Sequence, residues 1–252
     1  MAFAYATRSS KGSRSYQEDA AQVRADGQGP EASRLTAVLA DGMGGHAGGA
    51  LASATACQIF LGAYEASSGD VPARLVEALS LANAAIAECV EENPALSGMG
   101  CTLVGAAFSP AGVEWVSVGD SPLFLVRRGE IVLLNEDHSL APEIDKLAAA
   151  GRMSWEDAKA DPRRHFLCSA LTGSEIDMID RSHRPLALEP GDVVILASDG
   201  IHALDHGDIL RVTQAHCGPG PDAVADGLLA AVEAVGDLNQ DNTTVVVVQV
   251  TG

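Results

Sequence analysis

The chain has 252 residues, 47% of them hydrophobic, enough to bury a substantial core, and no Pro-, Ser- or Gln-rich tract or fixed-period repeat divides it. Its 34 acidic against 16 basic residues give a net charge of −18, which repels an extended phosphate backbone and excludes nucleic acid as a partner. There is no apolar stretch of transmembrane length, no basic segment leading into an apolar one at the start, and no Cys-x-x-Cys pair among five scattered cysteines; the expectation is a cytoplasmic protein with reduced thiols, acting away from membranes.

In chain order, Phe3 to Ser9 and Ala21 to Ala25 read as strands around a polar turn, and Leu35 to Ala40 as a third, more apolar strand. After a glycine-rich turn, alanine-rich Ala50 to Ala66 reads as a helix. A second helix has Asp70 as its cap, Pro72 in its first turn, and Leu75, Leu79, Ala82, Ile86 and Val90 at spacings of three or four; Asn93-Pro94 ends it. From Cys101 the pattern turns to strands: Thr102 to Phe108, Val113 to Val118, Leu123 to Arg127 and Ile131 to Leu134. Turns this short favour an antiparallel meander. Residues from about 137 to 171 are polar, with helical patches near Ala141 to Ala150 and Ser154 to Ala160, and read as a flap-like surface insertion. Ile176 to Arg184 and Val193 to Ala197 return to strand, Asp208 to Ala215 and Ala223 to Val235 read as helices, and Thr243 to Val250 as a buried strand. Paired helices around two strand-rich blocks predict a β-sandwich covered by helices.

Three aspartates abut apolar runs. Leu35 to Ala40 runs into Asp41, Val193 to Ser198 runs into Asp199, and Asp241-Asn242 opens into Thr243 to Val248. Two strands leave a sheet at Asp and one enters at Asp; if the third runs antiparallel to the others, all three carboxylates meet at one edge. Gathered like charges repel unless a cation holds them. A single Asp-Gly is more commonly a turn residue bonding its own backbone, but three at strand ends ask for another explanation. Carboxylate and carbonyl oxygens are hard ligands suited to magnesium or manganese, whereas zinc would want His or Cys at recognisable spacing, and none of the seven histidines has it.

Two competing motifs fail on their surroundings. Gly42 to Ala47 matches Gly-x-Gly-x-x-Ala between a strand and a helix, but a second long helix follows where a dinucleotide-binding unit needs a parallel strand. His216-Cys217 suggests a cysteine-based phosphatase, yet the loop from Gly218 to Ala223 lacks the arginine that would cradle phosphate.

Seven blocks stand in series: Arg14-Ser15-Tyr16-Gln17-Glu18-Asp19, Asp41-Gly42-Met43-Gly44-Gly45-His46, Gly100-Cys101-Thr102, Gly119-Asp120-Ser121, Leu171-Thr172-Gly173, Ser198-Asp199-Gly200-Ile201 and Asp241-Asn242-Thr243-Thr244. The series resembles the metal-dependent protein serine/threonine phosphatases of type 2C in their compact bacterial form, over nearly the whole chain. The resemblance implies an α+β fold, a central β-sandwich of two antiparallel sheets flanked by helices on both sides, in a single catalytic domain spanning 1–252. It implies hydrolysis of phosphoserine and phosphothreonine in proteins by a hydroxide bridging two Mn2+ or Mg2+ ions. Asp41 would bridge the ions, the Gly42 carbonyl would hold one, and Asp199 and Asp241 the other. Asp19 would act through a bound water with Glu18 in or near the same shell, and Asp120 matches a third, weaker ion site. Arg14 would clamp the phosphate, and His46 would protonate the leaving oxygen. The implied partners are phosphorylated proteins, with a serine/threonine kinase or its target in the same circuit, and the implied state is a monomer.

The chain departs from the family pattern in three places: Gln17 stands where Asn is common, Pro122 where Arg usually follows Gly-Asp-Ser, and His202-Ala203-Leu204 where another Asp often follows. The last two motivate an alternative, a phosphoprotein-binding regulatory module with the same fold and little turnover. A two-metal hydrolase of small phosphate esters is a third reading.

Overall fold

Apolar runs bounded by Gly, Pro and Asp become strands here, and most are buried on both faces. The computed structural model describes residues 1–26, 31–45 and 47–252. Strands β1 (Ala2–Ser10), β2 (Ala20–Ala25), β3 (Leu35–Ala40) and the short β4 (Gly42–Met43) lead into helices α1 (Ala47–Ala66) and α2 (Val71–Glu92). Strands β5 (Gly100–Cys101), β6 (Leu103–Ser109), β7 (Gly112–Val118), β8 (Leu123–Arg127) and β9 (Glu130–Leu133) follow. The rest comprises α3 (Ala141–Ala149), α4 (Trp155–Ala160), β10 (Asp180–Arg181), β11 (Val193–Ala197), α5 (His206–His216), α6 (Pro221–Val235) and β12 (Thr243–Thr251).

One sheet has the order β1-β12-β11-β8-β9 and the other β10-β7-β6-β3-β2; every pairing is antiparallel. The expected sandwich of two antiparallel sheets with helices on both sides is therefore present. Strand alternation divides each apolar run between two layers. Leu35, Ala37 and Leu39 of β3 meet Val246, Val248 and Val250 of β12 between the sheets. Val38 and Ala40 turn outward to α1 and α2, while Val245 and Val247 turn outward to α5 and α6. Each fully buried Val or Leu contributes about 1.5–3 kcal/mol relative to exposure, so both strands stabilise two interfaces at once.

Local chemistry sets the helix ends. Asp70 accepts a bond from Ala73 N at 3.0 Å, and Asn93 caps the end of α2. Helix α1 starts at Ala47, three residues before the alanine-rich pattern suggests, taking Gly48 and Gly49 into its first turn, where a Cβ on Gly49 would have no room. Farther along, Phe60 points the tip of its ring at β6: a Cβ at Gly105 would stand 2.2 Å from Phe60 Cζ.

Residues 137–171 fold as a small satellite. Ile144, Ala148 and Ala158 form its own core, and its base is clasped by Leu140 N to Phe166 O (2.9 Å) and Cys168 N to His138 O (2.7 Å). The strand predicted over Ile176 to Arg184 is reduced to the two residues of β10. Upstream of it, Ser169 Oγ takes Met178 N and donates to Met178 O, holding the chain in a loop that cannot join the ladder. Among the described residues no helix is long and apolar enough to cross a membrane.

Candidate metal centre

Asp41 follows β3, Asp199 follows β11 by one residue, and Asp241 precedes β12 by one residue. Strands β11 and β12 are antiparallel neighbours, as the sequence reading required, but β3 belongs to the other sheet. The three carboxylates therefore meet across the mouth of the sandwich, not along one sheet edge. They line a cleft of about 980 Å³ together with Arg14, Glu18, Gly42, Asp120 and Asn242. Asp19 is held behind them, beside Ser198. His46 lies outside the described residues.

Backbone and hydroxyl bonds fix each acid. Thr102 accepts Asp41 N on its Oγ1 (3.0 Å) and donates its own N–H to Asp41 O (2.9 Å), so two strand ends are locked side by side. Ser198 Oγ donates to Asp19 Oδ2 (2.7 Å) and accepts Thr244 N (2.9 Å), tying three site segments through one hydroxyl. Asn242 donates to Lys11 O (2.8 Å) and Tyr16 O (3.0 Å) and accepts Glu18 N (2.7 Å), pinning the Arg14–Glu18 loop against the start of β12. Gly42 and Gly49 explain the glycine-rich turn: a Cβ on Gly42 would stand 2.2 Å from Gly49 O, and one on Gly49 would stand 2.3 Å from Glu18 Oε1. The first turn of α1 can press on the cleft only without side chains there.

The electrostatics are those of crowded anions. Burial, reinforced by Asp199, Asp19, Asp120 and Asp241, lifts Asp41 well above the ordinary carboxylate range. Burial pushes Asp19 up to about 6 against the opposing bonds from Ser198 and Thr244, and pushes Asp120 up to about 7 with help from Asp199 and Asp137. Asp199 is raised by burial and Asp241, and a hydrogen bond from Asp41 opposes the rise. Glu18 Oε1, Asp19 Oδ1 and Asp199 Oδ1 are buried without a hydrogen-bond partner among the described residues. Such orphaned oxygens are costly, and a hard divalent cation is the partner that suits them. Among the described residues no three His, Cys, Asp or Glu side chains close into a finished cage; the orphaned oxygens and their mutual repulsion mark the site instead. Arg14 reaches into the site, its Nη2 donating to Asp241 Oδ2 at 2.6 Å.

Sequence reasoning missed the organisers. Asn242 and Ser198 are buried polar residues beside apolar runs, and that incongruity was the available signal. The same reasoning set the flap beside the site without naming the residues that line the cleft, which are His165, Phe166, Leu167 and Cys168 together with Thr172, Glu175 and Asp177. The dismissed cysteine reading stays dismissed: His216 Nδ1 meets Val212 O at 2.8 Å instead of a thiol, and neither His216 nor Cys217 lines the cleft.

Comparison with known proteins agrees with this geometry. The family model described as Protein phosphatase 2C matches residues 8–219. The serine/threonine protein phosphatase PstP of Mycobacterium tuberculosis (strain CDC 1551 / Oshkosh) is 36% identical over 203 residues, which cover 78% of this chain and 36% of PstP. The chain thus spans little more than a third of that relative's length. A crystal structure of the M. tuberculosis phosphatase PstP/Ppp superposes with a TM-score of 0.82 at 32% identity, covering 100% of both chains. A structure of the PstP catalytic domain in complex with two manganese ions gives a TM-score of 0.79 at 32% identity, covering 100% of this chain and 99% of that one. With a family match across most of its length and the full fold in common, the chain belongs to the protein phosphatase 2C family.

Proposed function

We propose that the chain is a metal-dependent phosphatase that hydrolyses phosphoserine and phosphothreonine in proteins. The observation that carries this reading is the set of orphaned carboxylate oxygens of Glu18, Asp19 and Asp199 at the mouth where Arg14 also stands. Asp41, Asp199, Asp241 and the Gly42 carbonyl would hold two Mn2+ or Mg2+ ions, with Glu18 and Asp19 completing their surroundings and Asp120 offering a third, weaker position. When bound, such ions polarise phosphoryl oxygens and make water a nucleophile near neutral pH.

The chain's own residues then have defined tasks. Arg14 presents a planar guanidinium that can bond two phosphoryl oxygens at once, and cations at the Asp241 carboxylate would free it from the pair it makes now. Ser198 and Asn242 hold Asp19 and the Arg14 loop at fixed positions, so little reorganisation accompanies reaction. The flap residues Phe166 and Leu167 give the cleft an apolar wall beside the polar mouth. His46 is our candidate for protonating the leaving oxygen. The protein would act as one cytoplasmic, monomeric domain, its partners being phosphoproteins on the path of a serine/threonine kinase.

Phosphate release from a phosphothreonine peptide, followed with and without manganese, tests the proposal. Turnover is expected only with the metal. Metal-independent turnover overturns the mechanism, and tight peptide binding without hydrolysis under saturating manganese favours the regulatory-module alternative.

A further inference from the structure

A second cavity, of about 300 Å³, opens at the end of the β10–β2 sheet opposite the metal centre: Asp41 follows β3, whereas Leu35 and Thr36 at the start of β3 line this cavity. Its floor is a cross-strand row. Arg24 of β2 pairs with Thr36 of β3, Thr36 with Ala107 of β6, and Ala107 with Glu114 of β7, so the four side chains stand on one face. Ala107 contributes only a methyl group, which leaves a depression between Thr36 and Glu114. Tyr64 at the end of α1 and Arg74 of α2 form the opposite wall. The Arg74 guanidinium lies 4.0 Å from the Tyr64 ring centroid and donates twice to Tyr64 O, at 3.2 and 2.7 Å.

Two charged groups at this cavity make no side-chain bond to the described residues of the protein. Glu114 is 6% exposed, and its carboxylate makes no hydrogen bond or ion pair among the described residues. Burial lifts its carboxyl above the ordinary range, and its acting neighbour is another acid, Asp70. The Glu114 oxygens are not among the atoms sealed from solvent, so their donors come from whatever occupies the cavity. On the rim, the exposed Arg34 guanidinium likewise makes no hydrogen bond or ion pair among the described residues; Asp26 acts on it only at longer range. Arg24 is half committed, reaching Glu65 at 3.3 Å. Three of the chain's 16 basic residues thus gather at one small cavity around an unpaired acid, in a protein of net charge −18.

We propose that this cavity binds a small polar ligand with paired N–H donors at one end and an anion at the other. The N–H groups meet Glu114, the anion meets Arg34, and the body of the ligand lies along Tyr64. The donor pair is that of a guanidinium or of the N–H edge of guanine, and the anion is a carboxylate or a phosphate. The volume is at the small end for such sites.

Isothermal titration of the full chain with L-arginine and with GMP, each at millimolar concentration, tests this, with agmatine as the guanidinium lacking an anion. One of the first two is expected to saturate, and which one does so names the ligand's source. Glu114→Gln should weaken that binding roughly tenfold or more, since a charge-assisted bond is lost. Arg34→Gln, on the exposed rim where folding is not at stake, should weaken it while leaving agmatine unchanged. Failure of both L-arginine and GMP to saturate, or binding that survives both substitutions, overturns the assignment. The readout is binding away from the cleft, so it stands or falls independently of phosphatase turnover.

Discussion

The mouth of the sandwich and the flap beside it are built on opposite terms. Asp41, Asp199 and Asp241 sit within a residue or so of strands whose side chains fill two cores, and Thr102, Ser198 and Asn242 lock those ends together. The flap has three buried apolar residues of its own and is joined to the body by a backbone clasp. Charge repulsion can be stored only where the scaffold is stiff, so the acids belong on strands. A segment that faces substrate can be cheap to open, so the flap needs no more core than it has.

The largest expected effect breaks the rigid side. Asp199→Asn should lower manganese-dependent turnover roughly a thousandfold or more, about 4 kcal/mol of barrier. The same change should raise the melting temperature of the metal-free protein above pH 7, because one of the repelling buried charges is gone; a lowered melting temperature would contradict the crowding described above. Next, Asn242→Ala removes three bonds that hold the Arg14–Glu18 loop and should cost roughly 3 kcal/mol in chemical denaturation, at about 1 kcal/mol each. Its turnover should fall with it, and the loop's amides should lose protection from hydrogen exchange.

Breaking the flap should do less. Ile144→Ala should cost roughly 2 kcal/mol locally, seen as faster proteolysis confined to 137–168, with unchanged turnover of a small phosphomonoester. A matching fall in global stability would show that the flap is part of the main core. The smallest effect tests the junction between the two regions, where Gly119 N donates to His138 Nδ1 at 3.2 Å. Burial holds His138 below the ordinary histidine range, so the folded protein refuses a proton that the unfolded chain accepts. Its contribution is therefore intact above the unfolded histidine value and is lost as pH falls through the depressed folded value. Between about pH 8 and about pH 5, the wild-type unfolding free energy should fall relative to that of His138→Gln, which keeps an acceptor for Gly119 and has no proton to take. Parallel curves would show that the fold does not disfavour the protonated form of His138.

Much of this was legible in the sequence, for identifiable reasons. Asp70 and Pro72 announce α2, and short strands with tight turns announce the meander. The strand-end aspartates announce a cation because like charges need one. The division of strands between sheets was not legible: β3 and β12 are buried on both faces, and an all-apolar run does not say which face meets which layer. The length of β10 was hidden because it is set by a distant serine, Ser169, and not by local propensity. Ser198 and Asn242 look like ordinary polar neighbours until the fold brings 11–19 beside them.

Strand β12 adds a consequence for folding fidelity. Val245 to Val248 offers the same side chain to either layer, so within that run a slip of one residue is felt only at its ends, where Thr244 or Gln249 would replace a valine in one of the cores. Discrimination therefore comes from the two ends of the run, and most visibly from the polar end at the mouth. Thr244 N on Ser198 Oγ, Ser198 N on Thr244 O, and Gln240 Nε2 on Gly200 O permit one register alone. The same few residues that shape the mouth also proofread the strand behind it, so selection on one is selection on the other.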